Sequence, residues 1–156
     1  MRQGIKGFSL IELLITVAVM VIAVTVVIPS FSGLIARNRA DADMAEIARA
    51  LGYARLEAIN RGQRVRILPV PGQLWAGQLE VMVMNTNSDI VRMLPALSGS
   101  AALGVTANSA TPANIEFNSL GALASAYPVT FAYTKGNEAR SLLVCVNGRV
   151  ALNGAC

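Results

Sequence analysis

From Phe8 to Ile28 the chain carries 21 residues in which Glu12 is the only ionisable side chain. At about 1.5 Å per residue a helix of that length spans roughly 31 Å, close to the hydrocarbon thickness of a bilayer, so residues 8–28 are expected to cross a membrane once. Pro29 follows directly; it lacks an N–H and disfavours helical geometry at Ile28, which predicts a kink or a local loosening of the helix there. Beyond it the period changes. Met44, Ile47, Leu51, Ala54 and Ala58 recur at spacings of three and four, while Asp43, Glu46, Arg49 and Glu57 fall largely off that stripe. The pattern predicts an amphipathic helix over 29–61 lying on a domain. Glu46 with Arg49 and Glu57 with Arg61 have the spacing of same-face ion pairs, and Gly62 stands where a left-handed cap would end the helix. One helix running from about Phe8 to Arg61, bent or interrupted at Pro29, accounts for the whole first part of the chain.

After Gly62 the helical period gives way to short runs rich in Val, Ile, Leu and aromatics between turn residues. These predict strands at Arg64–Leu68, Leu79–Met84, Ile90–Leu94, Ile115–Asn118, Val129–Tyr133, Leu142–Val146 and Arg149–Leu152. Asn147-Gly148 is the strongest hairpin signal, and a hairpin centred on it sets Cys145 opposite Val150. Ala96–Ala113, rich in Ala, Ser, Gly, Thr and Asn, reads as a loop. A head of residues 62–156, an antiparallel sheet packed on the apolar stripe, makes the fold class α+β.

Composition sharpens this picture. Among 156 residues 54% are hydrophobic and 14% charged, against about 25% charged in average soluble domains, so part of the chain avoids water. With no histidine and two cysteines, the commonest general base and a four-ligand zinc site are both missing. No nucleophile elbow, phosphate loop or paired-carboxylate motif is present, which argues against an enzyme and against a cofactor. The net charge of +4 falls to +2 once Arg2 and Lys6 are set aside, too little to argue for nucleic acid by itself. Trp75 reads as a core anchor.

Two features carry candidate chemistry. An ionised Glu12 inside lipid costs about 2.5–3.5 kcal/mol on insertion scales, so it either snorkels or is protonated near the membrane edge, or meets a cation in a helix-helix assembly. The nearest such cation is an amine created by cleavage at Phe8 of a neighbouring copy. The small residue Gly7 precedes the apolar run, unlike a secretory cleavage site, so cutting there leaves the helix on the mature protein. Arg2 and Lys6 nearly balance Arg37 and Arg39 across the block, and the starting amine tips the orientation weakly toward leader inside. Cys145 and Cys156 can close a loop worth roughly 3 kcal/mol, provided the chain turns again at Asn153-Gly154. A disulfide puts the head in an oxidising compartment such as the periplasm; two free buried thiols in a cytosolic head is the alternative.

The run Lys6-Gly7-Phe8-Ser9-Leu10-Ile11-Glu12-Leu13-Leu14 resembles the class III signal of type IV pilins and type II secretion pseudopilins. The resemblance implies a leader over 1–7, cleavage by prepilin peptidase between Gly7 and Phe8, and N-methylation of Phe8. It also implies pairing of Glu12 with the amino terminus of an adjacent subunit, and Pro29 falls where pilins tend to have a helix-bending proline. A bacterial inner-membrane protein with one pass and a periplasmic head follows, incorporated into a pilus or pseudopilus. Its partners would be other minor pilins, the major pilin, the peptidase and the membrane, with no small-molecule substrate.

The stretch Ala54-Arg55-Leu56-Glu57-Ala58-Ile59-Asn60-Arg61-Gly62 resembles the helix end of the GspH/FimT family of minor pilins and pseudopilins. So do Trp75 with Gly77, Phe117 with Gly121, and Gly148-Arg149-Val150. The cysteine pair is more similar to the pilus branch, implying a minor pilin that helps to initiate pilus assembly at the filament tip. The secretion branch, a minor pseudopilin H, is the alternative. Some pilus members bind DNA during natural transformation through a carboxyl-terminal Gly-Arg-x-Arg. Here Gly148-Arg149-Val150-Ala151 lacks the second arginine. Arg64 and Arg66 alternate onto one strand face, where Arg61, Lys135, Arg140 and Arg149 are candidates to join them, but no interleaved aromatics mark a stacking platform. Ordinary charges guarding a sheet edge are the competing reading.

Overall fold

The computed structural model describes residues 8–152 and 154–156, with the side chains of 26–30 outside the description. The leader 1–7, with Gly7 and the leader charges, and Asn153 of the expected second turn therefore lie outside the described residues. The chain forms two compact units that divide between Ala36 and Arg37, and helix α1 (Leu10–Arg61) contributes to both.

In the first unit Ser9 caps the helix. The Glu12 N–H donates to Ser9 Oγ at 3.3 Å and the Leu13 N–H to the Ser9 carbonyl at 3.2 Å, so the first turn's donors find partners. The helix continues through Pro29 without the interruption considered above. A proline removes one rung of the hydrogen-bond ladder, and the rungs on either side remain.

In the second unit the predicted stripe is the buried face. Met44, Ile47, Leu51, Ala54 and Ala58 are all buried, and Ala40 and Ala50 join them. Small residues at so many of these positions let the helix axis lie close to the strands. The helix ends as expected: Gly62 takes φ +62°, its N–H donates to the Ile59 carbonyl, and the Gln63 N–H donates to the Ala58 carbonyl. That pair of bonds is a Schellman motif.

Eight strands follow: β1 (Val65–Pro69), β2 (Leu79–Val83), β3 (Ile90–Leu94), β4 (Ala102–Ala107), β5 (Ile115–Phe117), β6 (Val129–Lys135), β7 (Glu138–Val144) and β8 (Val150–Leu152). They form two four-stranded sheets, in the orders β3-β2-β1-β5 and β4-β6-β7-β8, and every pairing is antiparallel. Their inward residues share one core with the α1 stripe, with Phe117, Phe131, Tyr133 and Trp75 supplying the largest volumes. Trp75 packs edge-on against Phe131 with centroids 6.0 Å apart, and its Nε1–H donates to the Pro112 carbonyl at 3.1 Å.

Three sequence expectations need correction. The loop expected over Ala96–Ala113 contains β4, which pairs with β6 along its whole length. Its alternation of buried Leu103 and Val105 with Ala102, Gly104 and Thr106 has the strand period, masked by small residues of low β-propensity. Strand β7 begins at Glu138, four residues before the expected start, because Gly136-Asn137 makes a two-residue hairpin with Lys135 opposite Glu138. The last hairpin is slipped by one residue: Val144 faces Val150, and Cys145 faces Arg149 rather than Val150. The loop is Val146-Asn147-Gly148, three residues closed by Gly148 at φ +81°, the common three-residue hairpin with a left-handed residue last rather than a two-residue turn.

Candidate functional site

The described side chains from Phe8 to Thr25 are all exposed, and Phe8 itself is 81% exposed. Apolar residues occupy every face of this stretch, so no rotation of the helix would leave a polar side toward water. The hydroxyls within it donate to the helix's own carbonyls, Thr16 to Leu13 at 2.8 Å and Thr25 to Ile22 at 2.9 Å. They therefore need no water. The Glu12 carboxylate has no partner among the described residues. Its spacing from Ser9 completes a Ser-x-x-Glu capping signature that the sequence reading passed over. Among the described residues no helix is long and apolar enough to cross a membrane. The expected span 8–28 reaches into the residues whose side chains lie outside the description.

The second unit ties its carboxyl-terminal tail to the last hairpin. Cys145 and Cys156 form a disulfide with their Cα atoms 5.4 Å apart, and the Arg149 Nη2–H donates to the Ala155 carbonyl at 2.6 Å, so the carboxyl-terminal tail is held twice.

The basic residues do not gather into one bare surface. Arg64, just before β1, and Arg66 on it converge on Glu116 of β5, at 3.2 and 2.5 Å. Arg149 lies in the other sheet's last hairpin. Arg61 pairs with Glu57, Arg49 and Arg92 share Glu46, Arg37 meets Glu138, and Arg140 bridges Asp41 and Glu138. The hydrogen bond from Arg49, reinforced by Arg92, holds the Glu46 carboxyl below its usual value despite partial burial. Lys135 donates to the Ser98 carbonyl and hydroxyl.

Two polar clusters were not foreseen. Buried Tyr133 donates to Asp43 Oδ2 at 2.8 Å, and the Ser98 hydroxyl donates to the same oxygen at 2.6 Å. Burial first, and then the facing Asp43, pushes the Tyr133 hydroxyl up to about 12. The other cluster is Arg55. Its Nε–H donates to the Gly121 carbonyl at 2.9 Å and its Nη2–H to the Asn147 carbonyl at 3.3 Å, tying α1 to two turns distant in sequence. Gly148 makes room for this contact, since a Cβ there would collide with the Gly121 carbonyl oxygen and lie against Arg55 Nε. The sequence signal was indirect: two glycines in turn contexts and an arginine at the edge of the buried stripe. Among the described residues no group of His, Cys, Asp or Glu side chains assembles as a metal site.

The profile of the family described as type II transport protein GspH matches residues 43–149, and that of the prokaryotic N-terminal methylation motif matches residues 2–28. A crystal structure of the type IV minor pilin FimU of Pseudomonas aeruginosa superposes with a TM-score of 0.62 at 26% identity, covering 74% of this chain and 89% of FimU. A second crystal form of FimU gives 0.58 at 24% identity, covering 72% and 90%. The minor pseudopilin EpsH from the type 2 secretion system of Vibrio cholerae gives 0.57 at 15% identity, covering 73% and 95%, a likeness of fold alone. All of these are pilins or pseudopilins, structural proteins rather than enzymes. No curated protein matches the chain.

Proposed function

Because the chain belongs to the GspH family of minor pilins and pseudopilins, we propose that it is a minor pilin of the type IV pilus that takes part in initiating assembly near the filament tip. The observation that carries this reading is the apolar stretch Leu10–Thr25, exposed on all sides with one carboxylate that has no partner among the described residues. Water is the wrong surroundings for such a surface, and burying it at about 25 cal/mol per Å2 strongly favours lipid or a bundle of similar helices.

On this reading, cleavage between Gly7 and Phe8 exposes an amine that is methylated and remains cationic. In the inner membrane the helix is stored singly. In the filament it packs against neighbours, and the amine of one subunit meets Glu12 of the next, which sets register because an unpaired carboxylate there is costly. The disulfide supports a periplasmic head. The secretion-branch alternative draws on the pseudopilin likeness, but the identity to FimU is the higher of the two. A DNA-capturing role finds less support, since Arg64 and Arg66 already share Glu116.

The test is incorporation of Glu12→Ala into sheared pili. The variant should be processed and retained in the membrane yet be depleted from filaments; incorporation equal to the unaltered protein would overturn the assembly role. Co-purification with minor pilins, rather than with secretion pseudopilins, separates the two branches.

A further inference from the structure

A groove of about 500 Å3 runs between the Gly52–Ile59 face of α1 and the start of β8, lined by Arg55, Leu56, Ile59, Gly148, Arg149 and Val150. Three properties distinguish it. First, its walls are apolar and open: Leu56 is 59% and Ile59 43% exposed, although both lie beside the fully buried stripe of the same helix. Gly52 leaves the groove floor without a side chain, which lets an incoming group approach the helix backbone. Second, both arginines in it lack a carboxylate among the described residues. There Arg55 and Arg149 donate only to main-chain carbonyls, those of Gly121, Asn147 and Ala155, whereas Arg64, Arg66, Arg92 and the other arginines of α1 from Arg49 onward are ion-paired. Third, those carbonyls fix the guanidinium groups while leaving donors over, since each fork has five N–H groups and uses no more than two. The disulfide that pins the tail also holds the Ala155 carbonyl on Arg149.

We propose that this groove docks an acidic, apolar peptide segment of a partner pilin, its carboxylate received by Arg55 and Arg149 and its aliphatic side chain laid on Leu56 and Ile59. The inference rests on the minor-pilin reading for the identity of the partner. Charge complementarity selects the occupant: two uncompensated cations on an apolar wall match a carboxylate flanked by aliphatic side chains. A nucleic acid would meet only two cations and no aromatic side chain on which a base could stack, since none lines the groove.

The test uses the mature full chain, 15N-labelled in detergent micelles, titrated with the peptide acetyl-Leu-Glu-Leu-Glu amide. Amide signals of Gly52, Ile59 and Gly148 should shift together and saturably, and the effect should weaken with salt. The carboxamide counterpart, acetyl-Leu-Gln-Leu-Gln amide, should bind about tenfold more weakly, as loss of a charge-assisted hydrogen bond implies. Arg149→Gln and Leu56→Gln, both at exposed positions, should each weaken the acidic peptide while leaving signals of the buried stripe in place; Arg55→Gln is the stronger variant if it folds. Equal shifts from both peptides, or none at these amides, would overturn the proposal. Stronger shifts from a short DNA duplex than from the acidic peptide would overturn it in favour of nucleic acid. Leader processing and filament incorporation are read separately, so their persistence beside a failed titration removes the groove's role and leaves the minor-pilin reading standing.

Discussion

Glu12 sits in the first turn of a helix that Ser9 caps, so its negative charge is favoured by the helix amino terminus before any partner arrives. That local preference explains why a carboxylate is tolerated at this place in the apolar block, but it needs only a polar acceptor near the cap. Partnering a cation needs charge. Glu12→Gln, which keeps the shape, should therefore incorporate into filaments as poorly as Glu12→Ala, and wild-type incorporation of the amide would show that charge is dispensable. In the second unit Tyr133 makes a pH prediction. Its folded value of about 12 lies above the ordinary 10.0, so its contribution to stability is full below about pH 10 and disappears as pH climbs through 12. Tyr133→Phe should lose about 1.5–3 kcal/mol near neutrality, the worth of a hydrogen bond to a charged acceptor, and should show a shallower alkaline decline in urea unfolding. An unchanged alkaline decline would place its origin elsewhere. Neither Asp43 nor Ser98 stood out in the sequence, because a lone acid on a helix edge and a serine in a loop acquire partners only when the fold brings Ser98 and Tyr133 onto the same Asp43 oxygen.

Among the elements, α1 was the most legible. Its buried stripe, both expected ion pairs and the glycine cap are where periodicity and spacing put them, because a helix face is defined by residues close in sequence. The strands were legible wherever β-branched residues marked them. Strand β4 was hidden by Ala and Gly, and its partner β6 lies more than twenty residues away, so nothing local could reveal the pairing. The final hairpin shows a finer failure: Asn147-Gly148 correctly located a turn, but its three-residue form moved every cross-strand partner by one. One glycine at the helix cap and one in that hairpin make an informative pair of substitutions. Gly62→Ala meets open space and pays only for positive φ, costing about 1 kcal/mol, whereas Gly148→Ala adds a collision with the Gly121 carbonyl and should cost roughly 2–3 kcal/mol. Equal losses in urea titrations would mean that the Arg55 contact relaxes freely. Opening the disulfide should cost roughly 3 kcal/mol and free the tail from Arg149.

For the molecule as a whole, the family and the fold are established, and the role in the filament rests on the amino-terminal segment. The described residues of the first unit expose apolar side chains on every face, while the second buries a full core of its own. On the proposed reading the second unit is stable in water by itself, whereas the apolar surface of the first is covered by lipid or by other helices. Extraction from membranes should accordingly need detergent, whereas residues 37–156 expressed alone should remain in solution; a full-length protein that stays soluble without detergent would contradict the division. Assembly through a processed amino terminus is tested by the intact mass and amino-terminal sequence of the protein recovered from cells that possess the processing protease. The chain should begin at a methylated Phe8, and one still carrying residues 1–7 would contradict that mode of assembly.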